Sequence, residues 1–323
     1  MRKPFALIAT AALAMVALTG CSSASSDSAA DCTPLVKDGP AAELVTVTGE
    51  FGKAPTVDFP TPLKTDTTER AVIIDGTGPG LVTGQLVSVD LSVYNGSTGA
   101  KIEESAYDGT SQASFALNDQ TLTGLTDGLT CAQVGSRIAV VVAPDDAFGP
   151  QGGNAQLGVA ADDSLVFVID VVSAALPRAN GKDQTVASNL PSVVLDENGV
   201  PGITIPSAEA PKTLEIGVLK KGSGATVKEG DSVIVNYTGV IWDTKKVFDS
   251  SWAKGSPVTL LAADGSKTAG GVIPGFADAL IGQTVGSQII AVIPPDQGYG
   301  DTDSGSIPAG STLVFVVDIL GIG

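Results

Sequence analysis

The chain repeats itself, and that limits its possible folds more than any other feature of the sequence. Pro55-Thr56-Val57-Asp58-Phe59-Pro60 returns in altered form as Pro201-Gly202-Ile203-Thr204-Ile205-Pro206. Gly76 and Gly78 return as Gly222 and Gly224, Gly84 as Gly230, and Val87 and Val89 as Val233 and Val235; this register runs on to Ile102 and Phe248. After a short gap Thr121-Leu122-Thr123-Gly124-Leu125 falls on Val272-Ile273-Pro274-Gly275-Phe276, and Ala143-Pro144-Asp145 falls on Pro294-Pro295-Asp296. Phe148-Gly149 matches Tyr299-Gly300, and residues 165–170 match 313–318 almost letter for letter. A period this long means two copies of one domain, and 323 residues suffice for two separate cores.

Each copy reads as mostly strand. Residues 86–94, 165–172, 232–240 and 312–320 are rich in Val and Ile and bounded by turn formers, so they are strand candidates. Residues 276–281, between Gly275 and Gly282, are the helix candidate, with 125–129 as the partner in the first copy. With 39 Gly and 19 Pro, helices should be few and short. Residues 301–310 read as a loop, and the polar stretch 176–189 as the link between domains.

The beginning of the chain reads as an export signal. Arg2-Lys3 precedes an apolar stretch over 5–18, shorter than the ~20 residues of a membrane span. Leu18-Thr19-Gly20-Cys21 then resembles a bacterial lipobox, which implies cleavage after residue 20 and a diacylglycerol on Cys21; the alternative is a plain secretory signal. Two acyl chains anchor stably, so 21–40 reads as a lipidated flexible tether and the protein as extracytoplasmic, held to the cell membrane. Cys32 and Cys131 remain as an even pair in an oxidising compartment, expected as a disulfide, with two buried thiols as the alternative. The chain has no His, so His-based catalysis is excluded, and no metal or cofactor is expected. A net charge of −17 argues against nucleic acid as a partner and is accounted for by solubility.

The chemistry is concentrated in the last third. Val235-Asn236-Tyr237-Thr238-Gly239, Phe248-Asp249-Ser250-Ser251, Gly271-Val272-Ile273-Pro274-Gly275-Phe276, Gly298-Tyr299-Gly300 and Leu313-Val314-Phe315-Val316-Val317 follow one another between Leu214 and Ile319. In order and spacing this set resembles the FKBP-type peptidyl-prolyl cis-trans isomerases. The resemblance implies an α+β fold of two tandem FKBP-like domains, each an antiparallel β-sheet wrapped around a short helix. The expected boundaries are 41–175 and 190–323.

An X-Pro bond exchanges across a barrier of about 20 kcal/mol. Lowering that barrier needs no nucleophile or metal: an apolar slot that receives the prolyl ring and favours the twisted, less solvated amide suffices, at about 1.4 kcal/mol per tenfold in rate. By resemblance Tyr237, Phe248, Phe276 and Phe315 would line the slot, Val272 and Ile273 would form its rim, and the Ile273 N–H would hold the substrate carbonyl. Asp249 would shape the polar edge, with Lys254 in reach of it, and the Tyr299 hydroxyl would donate to the substrate. Tyr237, Asp249 and Tyr299 are thus the implied catalytic set. Phe276 stands where the family usually has Trp, a change of size at the floor. Taken singly, Phe248, Val272, Ile273 and Phe315 would read as core, Tyr237 and Tyr299 as amphipathic core, and Asp249 as a turn former.

In the first copy the pocket positions become Leu91, Ile102, Glu103, Leu125 and Phe148, so both phenolic hydroxyls are lost. That domain is expected to be weak or inactive as an isomerase and to serve as a peptide-binding or spacing module. The whole reads as a folding helper for proline-containing exported polypeptides, with macrolides as possible ligands by resemblance. The alternative is a non-catalytic lipoprotein that binds a peptide or protein. A solute-binding lipoprotein would need long helices, which the pattern lacks.

Overall fold

The structure, a computed structural model, describes residues 32–323. The expected signal segment, Cys21 and the tether as far as residue 31 lie outside the described residues. The first unit runs α1 (Pro40–Glu43), β1 (Thr46–Thr48), β2 (Thr56–Asp58), β3 (Glu69–Ile74), β4 (Leu86–Asn95), β5 (Lys101–Glu104), β6 (Ala113–Ala116), α2 (Thr123–Leu129), β7 (Arg137–Val142), β8 (Gly153–Asn154), β9 (Val159–Ala160) and β10 (Leu165–Ala174). The second runs β11 (Lys182–Asp183), β12 (Ser192–Leu195), β13 (Pro201–Thr204), β14 (Glu215–Lys221), β15 (Ser232–Ile241), β16 (Val247–Ser250), α3 (Ser251–Lys254), β17 (Val258–Asp264), β18 (Gly271–Val272), α4 (Pro274–Leu280), β19 (Gln288–Ile293) and β20 (Leu313–Ile322).

The internal repeat is a structural one. The first sheet is ordered β3-β7-β10-β4-β5, with β6 also on β4; the second is β11-β14-β19-β20-β15-β17-β18, with β16 also on β15. All pairs in both are antiparallel except β17 with β18. In each unit the short helix lies on one face of the sheet. The turn pattern that predicted strands and short helices therefore holds, with strand ends moved by one or two residues.

Each sheet is covered on both faces, which explains why β7 and β19 are buried throughout and carry unbroken apolar runs after Arg137 and Gln288. Because successive side chains point to opposite faces, Ile138, Val140 and Val142 join the core beneath α2 while Ala139 and Val141 join a second core behind. The second unit does the same with Ile289, Ala291 and Ile293 in front and Ile290 and Val292 behind. The rear cover is a two-stranded hairpin, β1 with β2 and β12 with β13. Val47 and Val57 pack into the first rear core, Val193 and Ile203 into the second. The repeated Pro55 and Pro201 arms are thus one strand each of these hairpins.

Two expected boundaries shift. The flexible tether does not reach residue 40. Cys32 is joined to Cys131 by a disulfide, Val36 is buried, and Arg70 N–H donates to the Lys37 carbonyl at 3.1 Å. Residues 176–189 are not a free link, because they carry apolar and backbone contacts to the second sheet. Lys182 and Asp183 pair with Lys221 and Lys220, Leu176 N–H donates to the Leu320 carbonyl at 2.9 Å, and Ala179 is buried.

A buried charge pair sits behind the first sheet. The Arg137 guanidinium meets Asp170 at 2.5 Å with both side chains fully buried, and it also donates to the Gly49, Glu50 and Lys53 carbonyls of the β1–β2 turn. Asp170 in turn accepts from Gly52 N–H at 2.6 Å. In the second unit the pair is Gln288 and Asp318, and Asp318 accepts from Gln288 at 2.7 Å and Ala179 N–H at 2.8 Å. Burial raises the Asp318 pKa above the usual carboxylate range, outweighing the hydrogen bonds from Ala179 and Gln288 and the weaker pull of Lys220 and Arg178.

Candidate functional site

The second unit brings four rings together. Tyr237 comes from the middle of β15, Phe248 from β16, Phe315 from β20 and Phe276 from the first turn of α4. Phe276 and Phe315 meet edge to face at 4.8 Å between centroids, Phe248 and Phe315 at 5.4 Å, and Tyr237 lies 6.1 Å from both Phe276 and Phe315. These are favourable aromatic geometries. Phe276 and Phe315 are buried and form a floor, while Tyr237 and Phe248 are half-buried and form walls.

Gly239 makes this packing possible. A Cβ there would stand 2.5 Å from Phe248 Cζ and 2.9 Å from Phe315 Cε1, so both rings lie against bare backbone. The glycine of the Tyr-Thr-Gly motif is therefore a space requirement. At the matching position the first unit has Val93, which is buried in its core.

The polar edge is one connected chain. The Tyr237 hydroxyl donates to Asp249 Oδ2 at 2.5 Å, and Lys254 Nζ lies 2.6 Å from Asp249 Oδ1. Burial and the Asp249 acceptor both raise the Tyr237 pKa, with Tyr299 adding a smaller push in the same direction, so its proton stays in place. For Asp249 burial acts to raise the pKa, but Lys254 and the Tyr237 hydroxyl outweigh it and hold the carboxyl below its ordinary range. Tyr237 therefore spends its hydroxyl on Asp249. Its ring meets Phe276 edge to face and Phe315 at a tilt.

Val272 and Ile273 are half-buried and pack on the core at the start of α4. Ile273 is the residue before the helix; its carbonyl accepts from Phe276 and Ala277, while its own N–H donates to nothing among the described residues. A donor at the mouth of an apolar slot suits a peptide carbonyl. Tyr299 follows the one-turn helix over Pro295–Gln297, is 40% exposed, and has no hydrogen-bond partner for its hydroxyl among the described residues. All eight slot residues singled out in the sequence thus fall in one region of the second unit. No cluster of acidic, His or Cys side chains able to hold a metal exists among the described residues.

Sequence reasoning passed over two residues. Ser251 read as part of a turn, yet it is fully buried; its hydroxyl accepts from Tyr237 N–H at 2.9 Å and donates to Asn236 Oδ1 at 2.8 Å, fixing the backbone that carries the wall. Ile307, in the loop after Tyr299, is buried in the same core. An isolated apolar residue in a Gly-, Ser- and Pro-rich loop was its only signal.

The first unit builds the same place with other side chains. Leu91, Leu125 and Phe167 are buried, and Ile102, Leu122 and Phe148 are half-buried around them. Glu103 is exposed and pairs with no cation among the described residues. Cys131, at the end of α2, takes φ 67° where the second unit has Gly282 at φ 84°, a left-handed position that its disulfide to Cys32 occupies.

Comparison with known proteins agrees with this geometry. The chain is 35% identical over 120 residues to the probable FK506-binding protein of Corynebacterium glutamicum, covering 37% of this chain and 96% of that protein. It is 34% identical over 124 residues to the FK506-binding protein of Streptomyces anulatus, covering 38% of this chain and 96% of that one. With FK506-binding protein 2 of Gibberella zeae it shares 39% identity over 95 residues, 29% of this chain, and it spans just 46% of that relative's length. Two stretches, 78–172 and 224–320, match the family described as FKBP-type peptidyl-prolyl cis-trans isomerase. Those stretches together make up more than half of the sequence, and the chain belongs to the FKBP-type peptidyl-prolyl cis-trans isomerase family as a tandem pair of its domains.

Proposed function

We propose that the second domain is the working isomerase of a membrane-anchored, extracytoplasmic lipoprotein that speeds slow proline steps in exported polypeptides. The observation that carries this reading is the four-ring slot with a free Ile273 N–H at its mouth. The prolyl ring would enter between Tyr237 and Phe248 and rest on Phe276 and Phe315. Removing the amide from water weakens its charge-separated planar form, and the Ile273 N–H and Tyr299 hydroxyl would bond better to the twisted amide than to the planar one. Asp249 acts by holding Tyr237 in place. No bond is broken and no proton moves.

The first domain is the non-catalytic member of the pair. Val93 stands where the second has Gly239, Ile102 where it has the Phe248 ring, and Leu91 and Phe148 supply no hydroxyl. The lipid on Cys21 rests on the sequence motif alone, as does export. Macrolides are a ligand class for the second slot, because a large apolar ring with carbonyl groups matches the same floor and donor.

The test is cis-trans exchange of a short X-Pro peptide by the lipid-free chain from Cys32 onward, beside a variant carrying both Tyr299→Phe and Phe248→Ala. Acceleration lost in the variant supports the assignment. Equal, negligible rates would refute it and leave a peptide- or protein-binding lipoprotein. Membrane anchoring is tested separately, by detergent partitioning of wild-type and Cys21→Ala chains expressed with their leader.

A further inference from the structure

The four-residue helix α3 stands where the two domains meet. It follows Asp249 directly and carries Lys254, whose ammonium holds the Asp249 carboxylate. Lys254 is 58% exposed, and a surface pair of this kind contributes little by itself, so its geometry depends on the backbone beneath it. One turn of helix cannot hold its own shape. Its first residue, Ser251, is tied to Tyr237 and Asn236 on β15, but the turn that carries Lys254 has one side-chain cap among the described residues, a long bond from Ala253 N–H to Ser250 Oγ at 3.4 Å.

The support comes from outside the helix. Trp252 is half-buried, and its ring lies against the β12–β13 turn: a Cβ on Gly199 would stand 3.6 Å from Trp252 Cη2 and 3.6 Å from Arg178 Cδ. At the other end, the carbonyl of Gly255 accepts from Asn118 Nδ2 of the first domain at 3.1 Å. Asn118 is itself held, since its side-chain oxygen accepts from Gln120 N–H and its carbonyl from Thr126 Oγ1 on α2. The first domain has no helix at the corresponding place.

We infer that Trp252 and Asn118 are positioning residues for the second domain's site: by fixing α3 they keep Lys254 on Asp249, Asp249 on Tyr237, and Tyr237 as a wall of the slot. The first domain thus completes the site of the second. This rests on the reading of the second domain as the isomerase.

The experiment compares lipid-free wild type with Asn118→Ala, Trp252→Ala and Trp252→Phe, and follows two readouts. The first is kcat/KM on a short X-Pro peptide; the second is the titration midpoint of the Asp249 side-chain carboxyl by NMR, which needs no activity. Both alanine variants should lower kcat/KM by about three- to tenfold, the range set by losing one modest contact. They should also raise the Asp249 midpoint, and Trp252→Phe should restore both. An unmoved midpoint, or wild-type kcat/KM alongside a moved one, overturns the inference. A wild type without acceleration refutes the isomerase reading alone, and the midpoint then still decides whether α3 is held from the first domain.

Discussion

Substituting Gly239 by alanine should collapse the slot while leaving the fold in place. The added Cβ would stand 2.5 Å from Phe248 Cζ and 2.9 Å from both Phe248 Cε2 and Phe315 Cε1. Carbon atoms in contact prefer about 3.5–4.0 Å, so both rings must shift, the nearer by about 1 Å or more. Phe315 is buried on the central strand β20, whereas Phe248 is half-buried on the short β16, so Phe248 gives way more. Overpacking of this kind costs about 1–3 kcal/mol of stability. Losing the Phe248 ring as a wall removes an aromatic contact worth about 0.5–1.5 kcal/mol to the bound proline, or roughly two- to tenfold in kcat/KM. Urea denaturation and the X-Pro exchange assay measure the two effects. Wild-type stability together with wild-type kcat/KM would refute the argument that the bare backbone of Gly239 is what admits the rings.

Three further outcomes are expected. Because the folded-state pKa of Asp249 is depressed, its stabilising contribution is complete above the unfolded carboxylate range near pH 4 and is lost as pH falls through the folded value; denaturation at about pH 6 and about pH 3 should therefore show Lys254→Met and Tyr237→Phe losing less stability on acidification than wild type. Arg137→Met leaves the buried Asp170 without its main partner and should destabilise the first domain by about 3–5 kcal/mol, read as an earlier denaturation step. Replacing both Cys32 and Cys131 by Ser opens a loop of 99 residues and should cost about 2–4 kcal/mol in the same domain, with no free thiol titrating in the oxidised chain from Cys32 onward.

Much of this protein is determined by its sequence alone. The repeat pairs β4 with β15, α2 with α4 and β10 with β20, because turn glycines and apolar strands are local signals that survive divergence. The slot residues are legible through the family resemblance that their order and spacing carry; taken singly they read as core. What needed tertiary structure involves contacts between segments far apart in the chain. The repeated arms at Pro55 and Pro201 mark one strand of each rear hairpin, but the pairing with β1 and β12 could not be read, because Val47, Val57, Val193 and Ile203 show their role only against the rear faces of β7 and β19. The link over 176–189 looks free by composition, yet backbone pairing fastens it to β14. Ser251 reads as a turn former and becomes a buried brace, and Gly239 reads as a motif letter and becomes the floor space for two rings. Local propensity and periodicity specify which elements form; steric exclusion and buried hydrogen bonds between distant residues decide how they close around a site.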